Sequence, residues 1–502
     1  MLDLLLNGLI GALQPFNLLM MVVGLGVGVF FGSLPGLTAT MGVAVMVPFS
    51  YYLEPSSALL LMSGVFCGAI YGGSISAVLI GIPGTPASVP TSWEGYPLAK
   101  VGKAGPALHL CTLGSSIGGI ASSLALMIGA PALALLALEF GRAETMMLAI
   151  FGMTVVTSLA ADNLIKGVII GFISMFLATI GQDPVNGFPR FTFGSSNMIG
   201  GLQLVPVLIG VFSLPEVFNL IEDIVKERMH THKSRERIKV GSMRVKLQEV
   251  ISHWITIFKS SVIGIIIGII PAASSDIGAF LAYNESKRAS KNPENYGKGE
   301  VDGMIAAEVA NNAVTGASLI PLLTLSIPGS APAALYLGVL YINGLRPGPM
   351  LFNNNPDIVY ALLVGFLIVN ILMYFIGVGY CKIATNVVRV PREFLVPVII
   401  TLTVIGSYAC NHSWFDVWVM FVMGVVGYIL LKFGFPLSPI ALGLILGPIF
   451  ESAFDQTMVM FKGNMWLIFT RPISVFLMVL TVFSLCSPFI IKAYRKRKAN
   501  AV

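Results

Sequence analysis

The chain has 502 residues, of which 56% are hydrophobic and only 11% charged, and its mean hydropathy is +0.86. Soluble domains carry about 25% charged residues, so a soluble globular protein is excluded. The formal charge of +6 gives no reason to expect nucleic acid, because much of the excess lies in Lys226–Lys246 and in the tail Lys492–Lys498. Each flanks an apolar stretch, as the positive-inside rule requires of cytoplasmic segments resting on a lipid bilayer.

In chain order, Met1–Phe16 is apolar but has Asp3 where a secretory signal carries Lys or Arg, so no removal is expected. Apolar windows near the roughly 20 residues needed to cross a bilayer core follow. They are Leu18–Phe31, Ser57–Ile80, Gly105–Leu138, Met146–Leu159, Leu164–Ile180 and Gly200–Ile221. The long stretch Gly105–Leu138 predicts a tilted helix or a broken pair. Beyond the basic segment come Ile255–Ile270, Gly303–Leu325, Ile358–Gly377, Phe394–Tyr408, Phe415–Leu431 and Trp466–Phe489. Runs such as Ala121–Leu138 are apolar on every face, which excludes the alternating strands of an outer-membrane barrel. The expected fold is an all-α polytopic membrane protein of about 10–12 transmembrane helices plus re-entrant or broken helices. Its 53 glycines suit close helix packing in lipid. Cys67, Cys111, Cys381, Cys410 and Cys486 lie singly in apolar stretches and read as buried thiols.

Two distant stretches carry the same punctuation in the same order. The first is Gly32-Ser-Leu-Pro-Gly36, Gly81-Ile-Pro-Gly-Thr-Pro-Ala-Ser88 and Gly102-Lys-Ala-Gly-Pro-Ala-Leu108. The second is Gly268-Ile-Ile-Pro-Ala272, Ser326-Ile-Pro-Gly-Ser-Ala-Pro-Ala333 and Leu345-Arg-Pro-Gly-Pro-Met-Leu351, with an extra polar loop at Asn284–Gly299. The expected organisation is a first membrane repeat over 1–225, a basic cytoplasmic loop over 226–253, a second repeat over 254–491 and a basic tail over 492–502. No Lys or Arg precedes Lys100, so the first copy is free to begin outside while the second begins inside. An inverted repeat follows, the arrangement that supports alternating access.

Pro removes a backbone donor and Gly loosens a helix, so Ile-Pro-Gly at membrane depth marks a broken helix or a re-entrant hairpin. The new helix N-terminus favours anions, and unwound carbonyls can hold a cation. Matched interruptions in two halves are the sequence pointer to a transporter's midplane site. Taken singly, each motif also reads as a plain kink. Asp276, in Pro271-Ala-Ala-Ser-Ser-Asp-Ile-Gly278, suits coupling-ion or proton chemistry, with a helix cap by Ser274, Ser275 or Asp276 as the alternative. Glu308, Asn311, Asn312 and Thr315 share one helix face and form a polar stripe toward the protein interior or a wet cavity. Asn side chains that merely tie helices together are the other reading. At the matching positions the first copy has Ser63, Phe66, Cys67 and Ile70, so the site is expected to be asymmetric.

Glu139, Arg142 and Glu144, and Asp162 with Lys166, read as interfacial ion pairs. No chemistry is assigned to His109, His230, His232, His253 or His412, and neither a metal site nor an organic cofactor is expected. No phosphate-binding loop, G-x-S-x-G or H-E-x-x-H occurs, which leaves an ion gradient as the energy source and an enzyme as a remote alternative. A membrane scaffold and a passive anion channel remain as alternatives, although no filter motif is evident.

The chain resembles the large membrane subunit of the tripartite tricarboxylate transporters, the TctA type. The resemblance rests on Gly32-Ser-Leu-Pro-Gly-Leu-Thr38, on Gly68-Ala-Ile-Tyr-Gly-Gly-Ser74 running into Gly81–Ser88, and on Gly95-Tyr-Pro-Leu-Ala99. Ala310-Asn-Asn-Ala313, Ser326-Ile-Pro-Gly329 and Gly344-Leu-Arg-Pro-Gly-Pro349 extend it over essentially the whole chain. It implies a multi-pass protein of a bacterial inner membrane, a secondary-active importer of di- and tricarboxylates such as citrate or tartrate, with Na+ or H+ symport. It also implies two partners, a small membrane subunit (TctB type) and a periplasmic solute-binding protein (TctC type). On that reading the carboxylates are held at Gly81, Pro83, Gly84, Thr85 and Ser88 and at Ser326, Pro328, Gly329 and Ser330, with Asn311 and Asn312 reading further oxygens. The coupling Na+ or H+ falls to Asp276, Ser275, the carbonyls near Gly84 and Gly329, and Glu308.

Overall fold

A computed structural model of the chain describes residues 2–159, 164–183, 186–229, 238, 240–271, 273–388 and 390–499. Asp162, His230 and His232 lie outside them, as do 230–237 and 239 of the basic loop and the side chains of the tail Lys492–Lys498. The described chain is an all-α membrane protein. Its only strands are the pairs Gly181–Gln182 and Pro189–Arg190, antiparallel with Gly181 opposite Arg190.

The first part runs α1 (Leu2–Ala12), α2 (Pro15–Ser33), α3 (Ala39–Ser50), α4 (Pro55–Ile80), a 3-10 turn at Pro86–Ser88, α5 (Val89–Leu98), α6 (Ala104–Ala137), α7 (Arg142–Leu159), α8 (Leu164–Leu177) and α9 (Leu204–Met229). The second runs α10 (Leu247–Ser252), α11 (Trp254–Ile269), α12 (Ser275–Ala289), α13 (Val301–Ala317), α14 (Leu319–Leu325), α15 (Ala331–Ile342) and α16 (Pro349–Asn354). Then follow α17 (Pro356–Cys381), α18 (Ala384–Val387), α19 (Arg392–Asn411), α20 (Trp414–Lys432), α21 (Ser438–Met460) and α22 (Pro472–Ala499). Seven described helical stretches are long and apolar enough to cross a membrane, and six shorter apolar helices accompany them.

Glycine sets the tightest contact. On α4 an added Cβ at Gly64, Gly68 or Gly72 falls 2.7, 2.8 or 2.6 Å from the carbonyl oxygen of Met21, Leu25 or Val29 on α2. A residue every fourth position thus lets the two backbones touch, where dispersion and packing drive association in lipid. In the second part α11 lies on α13 the same way, with a Cβ at Gly264 or Gly268 falling 2.6 or 2.8 Å from the carbonyl of Ala310 or Val314. α4 is buried from Ser57 to Leu79 and α13 from Gly303 to Ala317, so these two helices form the centre. α6 packs against α13 and α17, and α3 against α15, so the two parts of the chain interleave in space.

Several boundaries differ from the sequence expectation. Gly105–Leu138 is neither a broken pair nor interrupted at Pro131: α6 is one helix of 34 residues. Gly303–Leu325 divides at Ser318, because Pro321 has no N–H to donate to the carbonyl of Ala317 and its ring crowds that carbonyl. The loop Asn284–Gly299 is helical as far as Ala289. There Glu285 pairs with Arg288 one turn on, at 2.8 Å, and Lys287 and Arg288 complement the dipole of the last turn. Trp466–Phe489 resolves into a 3-10 turn at Met465–Thr470 followed by α22. α9 continues past residue 225 to Met229, and α10 lies within the stretch expected to be a loop, since Lys, Arg and Glu are good helix formers.

Candidate functional site

α2 ends at Ser33 and the chain unwinds through Gly36 before Thr38 starts α3, its hydroxyl accepting from the N–H of Met41 at 3.2 Å. α4 ends in the left-handed turn of Gly81, and the Ile-Pro-Gly-Thr segment leads into the 3-10 turn at Pro86. α11 ends at Ile269, and Ser274 precedes α12 without a side-chain cap bond. α14 ends in the left-handed turn of Ser326, and Ser330 caps α15 by accepting from the N–H of Ala333 at 3.3 Å. The four breaks face one another.

They enclose a cavity of about 330 Å³. The starts of α3 (Thr38, Ala39, Thr40), of the 3-10 turn (Thr85, Pro86, Ala87), of α12 (Ser274, Ser275, Asp276) and of α15 (Ser330, Ala331, Pro332) all line it. Ser438 at the start of α21 adds a further hydroxyl, and Ile70, Phe212, Ile277 and Leu442 form the apolar wall. First-turn N–H groups have no acceptor within their own helix, so several backbone donors and the positive ends of the helix dipoles are available to this space. Asp276 is its only charged side chain, and it makes no hydrogen bond or ion pair among the described residues. Hydroxyls, backbone donors and a single carboxylate in a small chamber suit an anionic small molecule accompanied by a cation.

Of the residues picked from sequence, Thr85, Pro328, Ser330, Ser275 and Asp276 line the cavity. Gly81, Pro83, Gly84, Ser88, Ser326 and Gly329 do not, and they shape the breaks instead. Ser88 meets Thr85 hydroxyl to hydroxyl at 3.1 Å, and the N–H of Gly84 donates to the carbonyl of Gly73 at 3.2 Å. An added Cβ at Gly84 would strike the carbonyl of Gly32, and one at Gly329 would stand 2.8 Å from that of Gly268. Ser326 donates to the carbonyl of Pro347 at 2.9 Å while the N–H of Gly348 donates to Leu323 at 2.8 Å, so the Arg-Pro-Gly-Pro motif braces the second break.

The stripe on α13 is a different matter. Asn311 and Asn312 are fully buried, they do not line the cavity, and their side-chain amides have no hydrogen-bond partner among the described residues. Glu308 is also fully buried and away from the cavity, because Thr91 of α5 and Ser115 of α6 draw its carboxylate into the helix packing at 2.5 and 2.8 Å. Thr315 lies 3.9 Å from Cys67, so the matching faces of α13 and α4 meet. Glu144 pairs with Arg471 and Ser474 of the last helix region, each at 3.0 Å, rather than with Arg142. Lys166 donates to the carbonyl of Phe433 at 2.6 Å. Among the described residues no group of three His, Cys, Asp or Glu side chains is arranged to hold a metal ion.

Thr38 and Thr40 were not among the sequence-picked residues, although the signal was present. Thr38 follows Gly32, and Ser274 follows Gly268, at the same spacing, which also places Thr40 opposite Asp276. Phe212 and Ser438 reach the site from distant helices with no local signature.

A profile of the tripartite tricarboxylate transporter TctA family matches residues 18–442. The chain is 33% identical over 487 residues to an "uncharacterized 52.8 kDa protein in TAR-I ttuC' 3'region" of Agrobacterium vitis, covering 94% of each chain. It is 32% identical over 211 residues to an "uncharacterized protein in TAR-II ttuC' 3'region" of the same organism, covering 42% of this chain and 87% of the relative. With an all-α, multi-pass fold and a family match over most of its length, the chain belongs to the tripartite tricarboxylate transporter TctA family and is a transport protein of the membrane.

Proposed function

We propose that the chain is the large permease subunit of a bacterial inner-membrane importer of di- or tricarboxylates, driven by symport of Na+ or H+. A periplasmic binding protein delivers the acid, and a small membrane subunit completes the permease. The substrate occupies the cavity between the two Ile-Pro-Gly breaks, its carboxylates on the first-turn N–H groups of α3, α12 and α15 and on the hydroxyls of Thr85, Ser330 and Thr38. Asp276, with Ser275 and the carbonyls near Gly84 and Gly329, takes the coupling cation. The two parts of the chain act as inverted repeats, one starting outside and one beside the cytoplasmic basic loop.

The observation that carries this reading is the meeting of four helix starts around one chamber whose sole charge is a carboxylate. An organic polyanion entering such a space gains from the dipoles but is repelled by Asp276, and a cation bound with it removes that conflict. Among the described residues no Lys or Arg lines the cavity to do so instead. A scaffold would have no use for this chamber. Uptake of a labelled panel of di- and tricarboxylates into proteoliposomes holding the chain, its small subunit and its binding protein tests the proposal under imposed sodium or proton gradients. Saturable, gradient-dependent uptake of one acid is expected; no uptake of any acid by folded components contradicts it.

A further inference from the structure

Away from the cavity, Glu308 stands fully buried on α13, its two carboxylate oxygens accepting from Thr91 Oγ1 at 2.5 Å and from Ser115 Oγ at 2.8 Å. It has no Lys, Arg or His partner among the described residues. Two neutral hydroxyls cannot offset a bare negative charge at this depth. A second observation lies one turn along the same helix: both amide groups of Asn311 and Asn312 are buried without a partner. Buried amides left unsatisfied carry the full cost of desolvation, so they persist where something else completes them. Asn312 follows Glu308 by four positions and shares its face.

We propose that Glu308, Thr91, Ser115 and the Asn312 amide oxygen form a buried site for one small monovalent cation, a proton or sodium, distinct from the cavity around Asp276. A proton neutralises the carboxylate directly. Sodium does so as a hard ion held by carboxylate, hydroxyl and amide oxygens. Occupancy is transmitted to the cavity by a short segment. Thr85 lines the cavity and meets Ser88, and α5, which begins at the next residue, carries Thr91 to Glu308. Losing the cation leaves Glu308 with an uncompensated negative charge, tightens its hold on Thr91 and shifts the 3-10 turn that forms one wall of the cavity.

The titratable and charged groups on the helices packed around α13 are Cys67 and Tyr71 on α4, Glu94 and Tyr96 on α5, His109 and Cys111 on α6, Lys259 on α11, and Asp276, Tyr283, Glu285, Lys287 and Arg288 on α12. Asp302 lies on α13 itself, and Lys259 lies toward that end, where the two line one pocket. The 3-10 turn and α14 carry none.

The proposal rests on cation-coupled transport for its purpose, and its test needs no transport. The full chain with its small subunit is purified as Asp276→Asn, which silences the cavity carboxylate, and its unfolding temperature is followed with sodium replacing choline at fixed pH and with pH at fixed salt. A saturable rise with sodium identifies a sodium site; with His253→Gln also present, so that the His253–Asp302 pair no longer adds stability in acid, a rise on acidification alone identifies a proton site. Adding Glu308→Gln is expected to abolish the response, and Ser115→Ala to raise the half-saturating cation concentration about 5- to 10-fold. Absence of any response, or a response unchanged by Glu308→Gln, overturns the proposal. Where Glu308→Gln does not fold, Ser115→Ala and Thr91→Val decide by the same shift. Failure of the transport reading shows separately, as cation binding that persists without acid uptake.

Discussion

Asp276 and Glu94 are carboxylates set among apolar helices in opposite surroundings. Glu94 on α5 is fully buried and saturated: Tyr283 donates at 2.7 Å, and the backbone N–H groups of Gly297, Gly299 and Glu300 donate at 2.6, 2.8 and 2.7 Å. Asp276 lines a cavity and has no hydrogen-bond or ion-pair partner among the described residues. A carboxylate whose lone pairs are filled by fixed donors holds structure, here the segment between α12 and α13. One left open at membrane depth is costly to keep unless a ligand completes it. Removing each charge while keeping the shape should therefore give opposite phenotypes.

The largest expected effect is on transport. Asp276→Asn should lower gradient-driven uptake about 100-fold, the worth of one charge-assisted contact of about 3 kcal/mol, and leave the unfolding temperature nearly unchanged. Loss of fold in that variant would break the contrast. Glu94→Gln should do the reverse: its single oxygen can stand in for only one of the two carboxylate oxygens, so either the Gly297 N–H with the Tyr283 hydroxyl or the Gly299 and Glu300 N–H groups lose their acceptor, and stability falls by about 2–3 kcal/mol. Hydrogen exchange at the Gly297, Gly299 and Glu300 amides reads the loss directly, and unchanged protection at all three would show that the loop is held by other contacts.

A second pair of variants sharpens the comparison between the two breaks. Gly329→Ala places a methyl 2.8 Å from both the Gly268 carbonyl oxygen and the Ser318 Cβ, and should destabilise by about 1–3 kcal/mol; Gly84→Ala, whose methyl collides harder with Gly32, should cost more. Thermal unfolding of the two variants side by side gives the order. Ser330→Ala removes a helix cap worth about 1 kcal/mol, whereas Thr85→Ala removes no cap bond and should fall mainly on substrate affinity.

The smallest effect concerns pH. The imidazole of His253 is hydrogen-bonded to Asp302 at 2.8 Å, and that carboxylate raises its pKa above the ordinary value near 6.5. A raised folded-state pKa contributes stability fully below the unfolded pKa and loses it as pH rises through the folded one. Titrating wild type against His253→Gln from mildly acidic to alkaline pH should show a gap of under about 1 kcal/mol that closes at the alkaline end.

Much of this was legible in the sequence for a physical reason. Proline and glycine act locally, so the breaks at Pro35, Pro83, Pro271 and Pro328 could be read from neighbours alone, and Thr85, Ser330 and Asp276 came with them. The long apolar helices were equally plain. The half-length helices α3, α12 and α15, of 12, 15 and 12 residues, fall short of the length that marks a span, and α12 is too polar to stand out. The polar face of α13 was legible as a face, but its direction was not. Whether Glu308 turns to the cavity or to Thr91 and Ser115 depends on contacts more than 190 positions apart. The same holds for Glu94, which looks like an ordinary helix acid until the loop two hundred residues later closes on it.

The most direct test of the central claim places a cysteine at Thr85 after Cys410 and Cys486, the two thiols not fully buried, are changed to serine. Labelling of Thr85→Cys by a small thiol reagent is then measured in proteoliposomes with and without the transported acid. Protection that saturates at the acid concentration giving half-maximal uptake is predicted. Labelling at the same rate with saturating acid, while uptake continues, would contradict the placement of the substrate in this cavity.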